Sequence, residues 1–176
     1  MDNADFIPWI QNSVPGLTMS ELRHLAHELY PPIFDGGLGY TNQGSRQMAL
    51  WSEAVIDCNM VGISKIMNGH SYAFHITPGL HTQDLKYTFN DPQSPVFQPV
   101  AQDVLQTVLT SFTVSGFPEL SSRYAIDFPS WGTEGNVVGI NGQGVEKTLN
   151  AVNETRCAWW HRFHSGKAAQ SSTWKH

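Results

Sequence analysis

Apolar residues recur at helical spacing in four stretches of the chain, which predicts four amphipathic helices. The first follows Thr18 and Glu21, a spacing typical of a capping box, and carries an apolar stripe that continues to Leu29 before two prolines. The other three are predicted at about residues 45–67, 99–113 and 153–164. Asn68-Gly69 and Ser115-Gly116 supply the stop signals for the second and third helices. Apolar side chains cover more than one face of the 45–67 helix, so we expect it to be well buried.

Shorter runs predict extended structure. Residues 71–76 and 136–141 read as strands, and residues 84–89 alternate enough to suggest a short strand or an extended arm. Residues 2–17, with three Pro or Gly positions, read as an irregular lead-in, and the polar residues 165–176 read as a frayed tail. Helices and strands alternate without repeats or a clear boundary. The pattern therefore indicates a single α/β segment over residues 1–176.

Composition narrows the classes of function. The chain has 176 residues, of which 40% are hydrophobic and 14% charged, with six Trp and a net charge of −5, as expected of a globular protein. This charge offers no basic surface for nucleic acid or an anionic membrane. No apolar run approaches the roughly 18 residues needed to span a bilayer. The first residues lack the basic start and apolar core of a signal peptide, so the sequence predicts no export signal.

Motifs for cofactors and metals are missing from the sequence. The glycines at residues 33–44 match neither a P-loop nor a dinucleotide-binding pattern, and they read as turns. His24 and His27 are three apart on a predicted helix, but a metal site would need a further ligand that the sequence does not indicate. We therefore expect no cofactor and no metal. The triplet Asn153-Glu154-Thr155 is a glycosylation sequon that matters only in a secreted chain.

The candidate chemistry lies just beyond the predicted strand at residues 71–76. Pro78-Gly79 breaks the strand, and His81 follows in the turn. A strand end followed by a turn that holds one imidazole is a common way to place a general base. Most loop histidines in such a context are nevertheless structural or face the solvent. Cys58 and Cys157 are too few for a metal cage, and by counting alone two free thiols are favoured over one bridge.

The segment at residues 78–89 reads Pro-Gly-Leu-His-x-x-Asp-Leu-x-Tyr-x-Phe. It resembles the catalytic-histidine segment of type-B carboxylesterases and lipases, the cholinesterase-like group that includes fungal esterases. Four further segments resemble the family in the same order, over about residues 45–164: the cysteine-bearing helix before the aromatic strand, residues 109–119, residues 128–141 and residues 156–160.

The resemblance implies the C-terminal part of an α/β-hydrolase fold, with helices packed on the last strands of its sheet. It implies that His81 is the catalytic base and that Asp84 stands where the family has a supporting Glu or Asp. It also implies a disulfide between Cys58 and Cys157, which reverses the preference for free thiols, and hence a secreted parent with a glycan at Asn153.

Two features depart from the family. Thr82 stands where the family usually has Gly after the histidine. The catalytic order in this fold is Ser, then Glu or Asp, then His, yet the chain contains no Gly-x-Ser-x-Gly. Its one Glu-Gly pair, Glu134-Gly135, lies after the histidine rather than before it.

These features predict the C-terminal segment of a serine carboxylic-ester hydrolase, inactive alone because the nucleophile and acid lie outside it. Its expected partners are the missing N-terminal part and, in the whole protein, a small-molecule or lipid ester. The alternatives are a non-catalytic cholinesterase-like binding or adhesion module and a truncated gene product. Retention of His81 in its context favours the hydrolase, because an adhesion module needs no imidazole there.

Overall fold

A computed structural model describes residues 5–89 and 98–171, with side chains to residue 166. The chain divides into two compact units, Met1–Gly62 with Val152–His176, and Ile63–Ala151. The helices are α1 Phe6–Ser13, α2 Met19–His24, α3 Gln43–Ser52, α4 Cys58–Met67, α5 Leu85–Thr88, α6 Pro99–Ser115 and α7 Glu154–Ser171. The strands are β1 Tyr72–Phe74, β2 Asn136–Ile140 and β3 Val145–Leu149. This is a mixed α/β structure, so that coarser part of the predicted fold class is confirmed.

The first unit is helical. Thr18 and Glu21 form the predicted capping box: the Glu21 N–H donates to Thr18 Oγ1 at 3.3 Å, and the Thr18 N–H donates to Glu21 Oε2 at 2.7 Å. A π-helical turn, Leu25–Leu29, continues α2, and a second one, Glu53–Asp57, joins α3 to α4. The core of this unit brings α1, α2, α3 and α7 together around the fully buried Trp160.

The second unit packs α5 and α6 against a three-stranded sheet of order β1-β2-β3. β1 pairs in parallel with β2, with Phe74 opposite Ile140. β2 pairs antiparallel with β3. The side chains of Val138 and Ile140 lie in the core with the buried face of α6. Gly116 ends α6 with φ 79°, a left-handed conformation that glycine adopts without steric cost.

Several sequence-based predictions were wrong. The lead-in contains α1, whose Phe6 and Ile10 are fully buried one turn apart. Pro8 fits there because the N–H groups of a first helical turn have no intrahelical partner. Residues 84–89 contain α5 rather than a strand: Tyr87 is their one buried side chain, and the Phe89 N–H donates to the Leu85 carbonyl at 2.9 Å.

The extent of other elements also differs. A helical run does cover residues 43–67, but it is not well buried: Met48 is 63% exposed and Ile66 is 84% exposed. Apolar residues on several faces therefore do not mean that every face is covered.

β3 was not predicted, because its residues alternate weakly. α7 continues to Ser171, so residues 165–171 of the expected frayed tail are helical, and residues 172–176 lie outside the described part of the chain.

His24 and His27 lie on α2 and on the π-helical turn that continues it. His24 Nδ1 lies 3.0 Å from Glu28 Oε2, one turn along the helix. Residues 5–89 and 98–171 bring together no group of three His, Cys, Asp or Glu side chains that could hold a metal ion. None of the helices in these ranges is both long and apolar enough to cross a membrane.

Candidate functional site

His81 lies on the turn that joins β1 to α5 in the second unit. The turn begins after Ile76 and leads into α5, where Tyr87 is buried; both anchors belong to the core of this unit. His81 itself is exposed. Within the described residues, no hydrogen bond or ion pair engages its ring. The ring is therefore accessible from outside the turn.

The turn leaves the sheet at the carboxyl end of a strand. β1 runs parallel to β2, and the His75 N–H still donates to the Ile140 carbonyl at 2.8 Å before the chain departs. In open α/β sheets, ligands bind in the crevice beyond the carboxyl ends of the parallel strands. His81 therefore lies beyond the carboxyl end of β1, on the strand end from which the chain leaves the parallel pair.

The backbone of the turn is held by local hydrogen bonds. The Gly79 N–H donates to the Ile76 carbonyl at 2.8 Å, and the Gln83 N–H donates to the Leu80 carbonyl at 3.0 Å. The Gln83 side chain closes the same turn, because its Oε1 accepts the Leu80 N–H at 2.9 Å. Its amide nitrogen also donates to the Thr77 carbonyl at 3.4 Å.

Two residues of the turn have left-handed backbone conformations. Gly79 has φ 68° and Thr82 has φ 67°. Glycine adopts this region freely, whereas a β-branched residue does so at a steric cost. Thr82 therefore occupies, immediately after His81, a conformation that glycine suits better, and this is the position where the sequence departs from the family pattern.

Asp84 contacts a tyrosine rather than the histidine. The Tyr72 hydroxyl donates to Asp84 Oδ2 at 2.6 Å. Burial raises the pKa of Tyr72, and the hydrogen bond to the Asp84 carboxylate raises it further, so the phenol stays protonated and remains a donor. The Asp84 carbonyl also accepts the Thr88 N–H at 3.0 Å at the start of α5. Sequence reasoning singled out Asp84 but missed Tyr72, because nothing local to the strand identifies its partner.

The disulfide between Cys58 and Cys157 is present in the first unit, with the Cα atoms 4.9 Å apart. This distance is within the range of native bridges. It joins α4 to α7 across 99 positions of sequence. Both cysteines are buried in the core of the unit.

A buried polar network lies beside the bridge. The Tyr30 hydroxyl donates to Glu53 Oε2 at 2.6 Å, and the Trp160 indole N–H donates to the Tyr30 hydroxyl at 2.9 Å. Arg156 donates to Glu53 Oε1 at 2.8 Å, and its guanidinium lies 4.8 Å from the centre of the Tyr30 ring. Burial raises the pKa of Glu53, while the Tyr30 hydrogen bond and the charge of Arg156 act in the opposite direction. The network connects α7 to the π-helical turn after α3.

Asn153, the sequon residue, lies at the start of α7. Its Oδ1 accepts the Arg156 N–H at 3.0 Å, which satisfies one of the free donors of the helix terminus. This capping bond uses the side-chain oxygen and not Nδ2, the atom to which an N-linked glycan attaches. Capping and glycosylation are therefore compatible at this residue.

The fold and site define a mixed α/β structure with an exposed histidine beyond the carboxyl end of a parallel strand. The chain is similar to Carboxylesterase patB of Penicillium expansum, with 26% identity over 166 residues, which cover 92% of this chain and 29% of that protein. It is also similar to Carboxylesterase patB of Aspergillus clavatus, with 25% identity over 167 residues, covering 93% of this chain and 30% of that protein. No family model matches the chain.

These similarities suggest the carboxylesterase family and extend over most of the chain. The chain spans less than a third of the length of the two curated relatives.

Proposed function

We propose that this chain is the C-terminal segment of a serine carboxylic-ester hydrolase, a carboxylesterase or lipase, with His81 as its general base. The observation that carries the proposal is the exposed His81 on the turn beyond β1, in a chain similar over nine-tenths of its length to two proteins named carboxylesterases. These relatives favour a hydrolase over the adhesion module that the same scaffold could support. In this proposal the sheet belongs to an α/β-hydrolase fold, and the rest of that fold is the segment's partner.

The proposed chemistry needs groups that this chain does not supply. His81 Nε2 would take the proton of a nucleophilic serine as the serine attacks the ester carbonyl, and would return that proton to the departing alkoxide. A carboxylate on Nδ1 would hold the tautomer. Serine and carboxylate would come from the preceding part of the hydrolase, because these 176 residues contain no Gly-x-Ser-x-Gly. The substrate class is a small-molecule or lipid ester.

The setting proposed for the parent protein is extracellular. The Cys58–Cys157 disulfide persists in an oxidising compartment, and the sequon at Asn153 is used only in the secretory pathway. The chemistry as proposed uses neither a metal nor a cofactor.

Experiments on the chain alone and on a longer protein test this function. The chain alone should not turn over p-nitrophenyl esters above an imidazole control, and no serine should react stoichiometrically with a fluorophosphonate, because in this proposal the nucleophile and the oxyanion hole belong to the rest of the hydrolase. A longer reading frame through Met1 should encode Gly-x-Ser-x-Gly upstream. In that longer protein, His81→Ala should lower kcat by at least about a thousandfold.

The matched control is His75→Ala, which removes another exposed imidazole six positions earlier and should leave kcat unchanged. Labelling of a serine in the chain alone would overturn the claim that the nucleophile lies elsewhere. An active longer protein that tolerates His81→Ala would overturn the role of His81.

A further inference from the structure

The turn that carries His81 has little apolar packing of its own. Residues 77–82 are exposed, and Leu80 is 65% exposed. A surface turn of this kind opens at little cost unless specific bonds hold it. A general base nevertheless has to be held close to its productive geometry, because a displacement of about 1 Å costs of the order of a hundredfold in rate. The bonds that hold this turn therefore bear directly on the use of His81.

One such bond set comes from Gln83, two positions after His81. Its side chain accepts the Leu80 N–H at 2.9 Å and donates to the Thr77 carbonyl at 3.4 Å. The Gln83 amide thereby bonds both Leu80 and Thr77, and His81 lies in the segment that these bonds close. An apolar or shorter side chain at this position could not make both bonds.

A second bond ties the turn to the sheet. Tyr72 belongs to β1, which the ladder to β2 holds in place, and its hydroxyl reaches Asp84 Oδ2 at 2.6 Å. A hydrogen bond to an ionised carboxylate is stronger than a neutral one. Asp84 immediately precedes α5, so this bond fixes the point at which the turn enters the helix.

We propose that Tyr72 and Gln83 are positioning residues for His81, Gln83 by closing the turn and Tyr72 by fastening Asp84 to β1. The inference rests on the proposed function, because positioning matters for catalysis only if His81 is the base. Neither residue touches reacting atoms in this proposal. Tyr72 acts through Asp84. This role accounts for the observation that the Asp84 carboxylate, three positions after His81, bonds the Tyr72 hydroxyl and not the histidine.

The test uses the whole chain and three variants: Tyr72→Phe, Gln83→Ala and, as the matched control, Tyr124→Phe. Tyr124 donates to Asp103 at 2.9 Å in the same unit, so its variant removes an equivalent tyrosine–aspartate bond away from the turn. Hydrogen exchange at the Gly79, Gln83 and Leu85 amides should accelerate about tenfold in the first two variants. In the control it should change by less than about twofold.

A second readout follows His81 itself. In histidine-labelled chain, the backbone amide signal of His81 should sharpen in Tyr72→Phe and Gln83→Ala, because the turn becomes more mobile, and it should stay unchanged in Tyr124→Phe. Asp84→Asn keeps a side-chain oxygen that can accept the Tyr72 hydroxyl, so this variant should retain most of the protection. Equal responses in Tyr72→Phe and Tyr124→Phe would overturn the proposal, and so would an unchanged His81 signal.

Catalysis separates this inference from the function on which it rests. In the longer protein, Tyr72→Phe should lower kcat about tenfold and leave KM unchanged, since a positioning residue makes no contact with the ester. If His81→Ala leaves kcat intact, the proposed function fails, whereas the exchange measurements still decide whether Tyr72 and Gln83 hold the turn. If His81→Ala abolishes activity but Tyr72→Phe does not alter kcat, the positioning role of Tyr72 fails alone.

Discussion

Arg156 on α7 and Glu53 on the π-helical turn form an ion pair of 2.8 Å, with 7% and 8% of their side chains exposed. Removing one partner of a buried pair leaves an uncompensated charge, which costs more than the net value of the pair. The Tyr30 hydroxyl donates to the Glu53 carboxylate and itself accepts the Trp160 indole N–H. The pair and the disulfide both fasten α7 to the rest of the first unit.

Arg156→Met should destabilise the first unit by about 3–5 kcal/mol at neutral pH. Arg156 lowers the pKa of Glu53 against the stronger effect of burial, so its loss raises that pKa further. A carboxyl group with a raised pKa in the folded state contributes full stability below its unfolded value and loses it as the pH rises through the folded value. The deficit of the variant should therefore be smallest below pH 4.5, the ordinary value for Glu, and should grow above it.

Denaturant unfolding at a series of pH values measures this deficit. The control is Arg123→Met, which removes a solvent-exposed ion pair with Asp103 and should change stability little. A deficit for Arg156→Met that does not depend on pH would contradict the assigned coupling to Glu53.

Loss of the disulfide should lower stability by about 4–5 kcal/mol, because the bridge closes a loop of 99 positions and restricts the unfolded chain. The double variant Cys58→Ala/Cys157→Ala tests this by thermal unfolding against the oxidised chain. Added reductant should affect the original chain and leave the double variant unchanged. Equal stability of the two proteins under oxidising conditions would contradict the prediction.

Asn153 should have two separable roles. Asn153→Ala removes the cap of α7 and should cost about 1 kcal/mol, whereas Asn153→Asp keeps a capping oxygen and should cost little. Thr155→Ala destroys the sequon and leaves the capping bond in place. After expression through a eukaryotic secretory pathway, intact mass should show a glycan on the original chain and none on these three variants. An original chain of unmodified mass would contradict the predicted glycan at Asn153.

Thr82→Gly should stabilise the second unit by up to about 1 kcal/mol, since it relieves a left-handed threonine at the cost of a more flexible unfolded chain. Thr110→Gly is the control, because it places the same substitution on the exposed face of α6, where glycine should cost about 1 kcal/mol. Unfolding free energies of the two variants should thus shift in opposite directions. A loss of stability in Thr82→Gly would contradict the strain assigned to Thr82.

The sequence by itself determined the features that depend on near neighbours. The capping box of Thr18 and Glu21 and the left-handed stop at Gly116 follow from local backbone needs, and both appear where the sequence predicts them. The pairing of Cys58 with Cys157 was different: counting favoured free thiols, and only the resemblance to a family indicated the bridge that the structure contains.

Tertiary structure decided the remaining features, because these features depend on partners far apart in sequence. Residues 84–89 alternate like a strand, but Leu85–Thr88 within them form α5, with Tyr87 buried against α6. The bond from Tyr72 to Asp84 crosses 12 positions, and that from Arg156 to Glu53 crosses 103. No periodicity encodes such pairs. The sequence thus predicted His81 as the candidate residue and the turn that carries it, and only the folded chain determined which side chains bond across that turn.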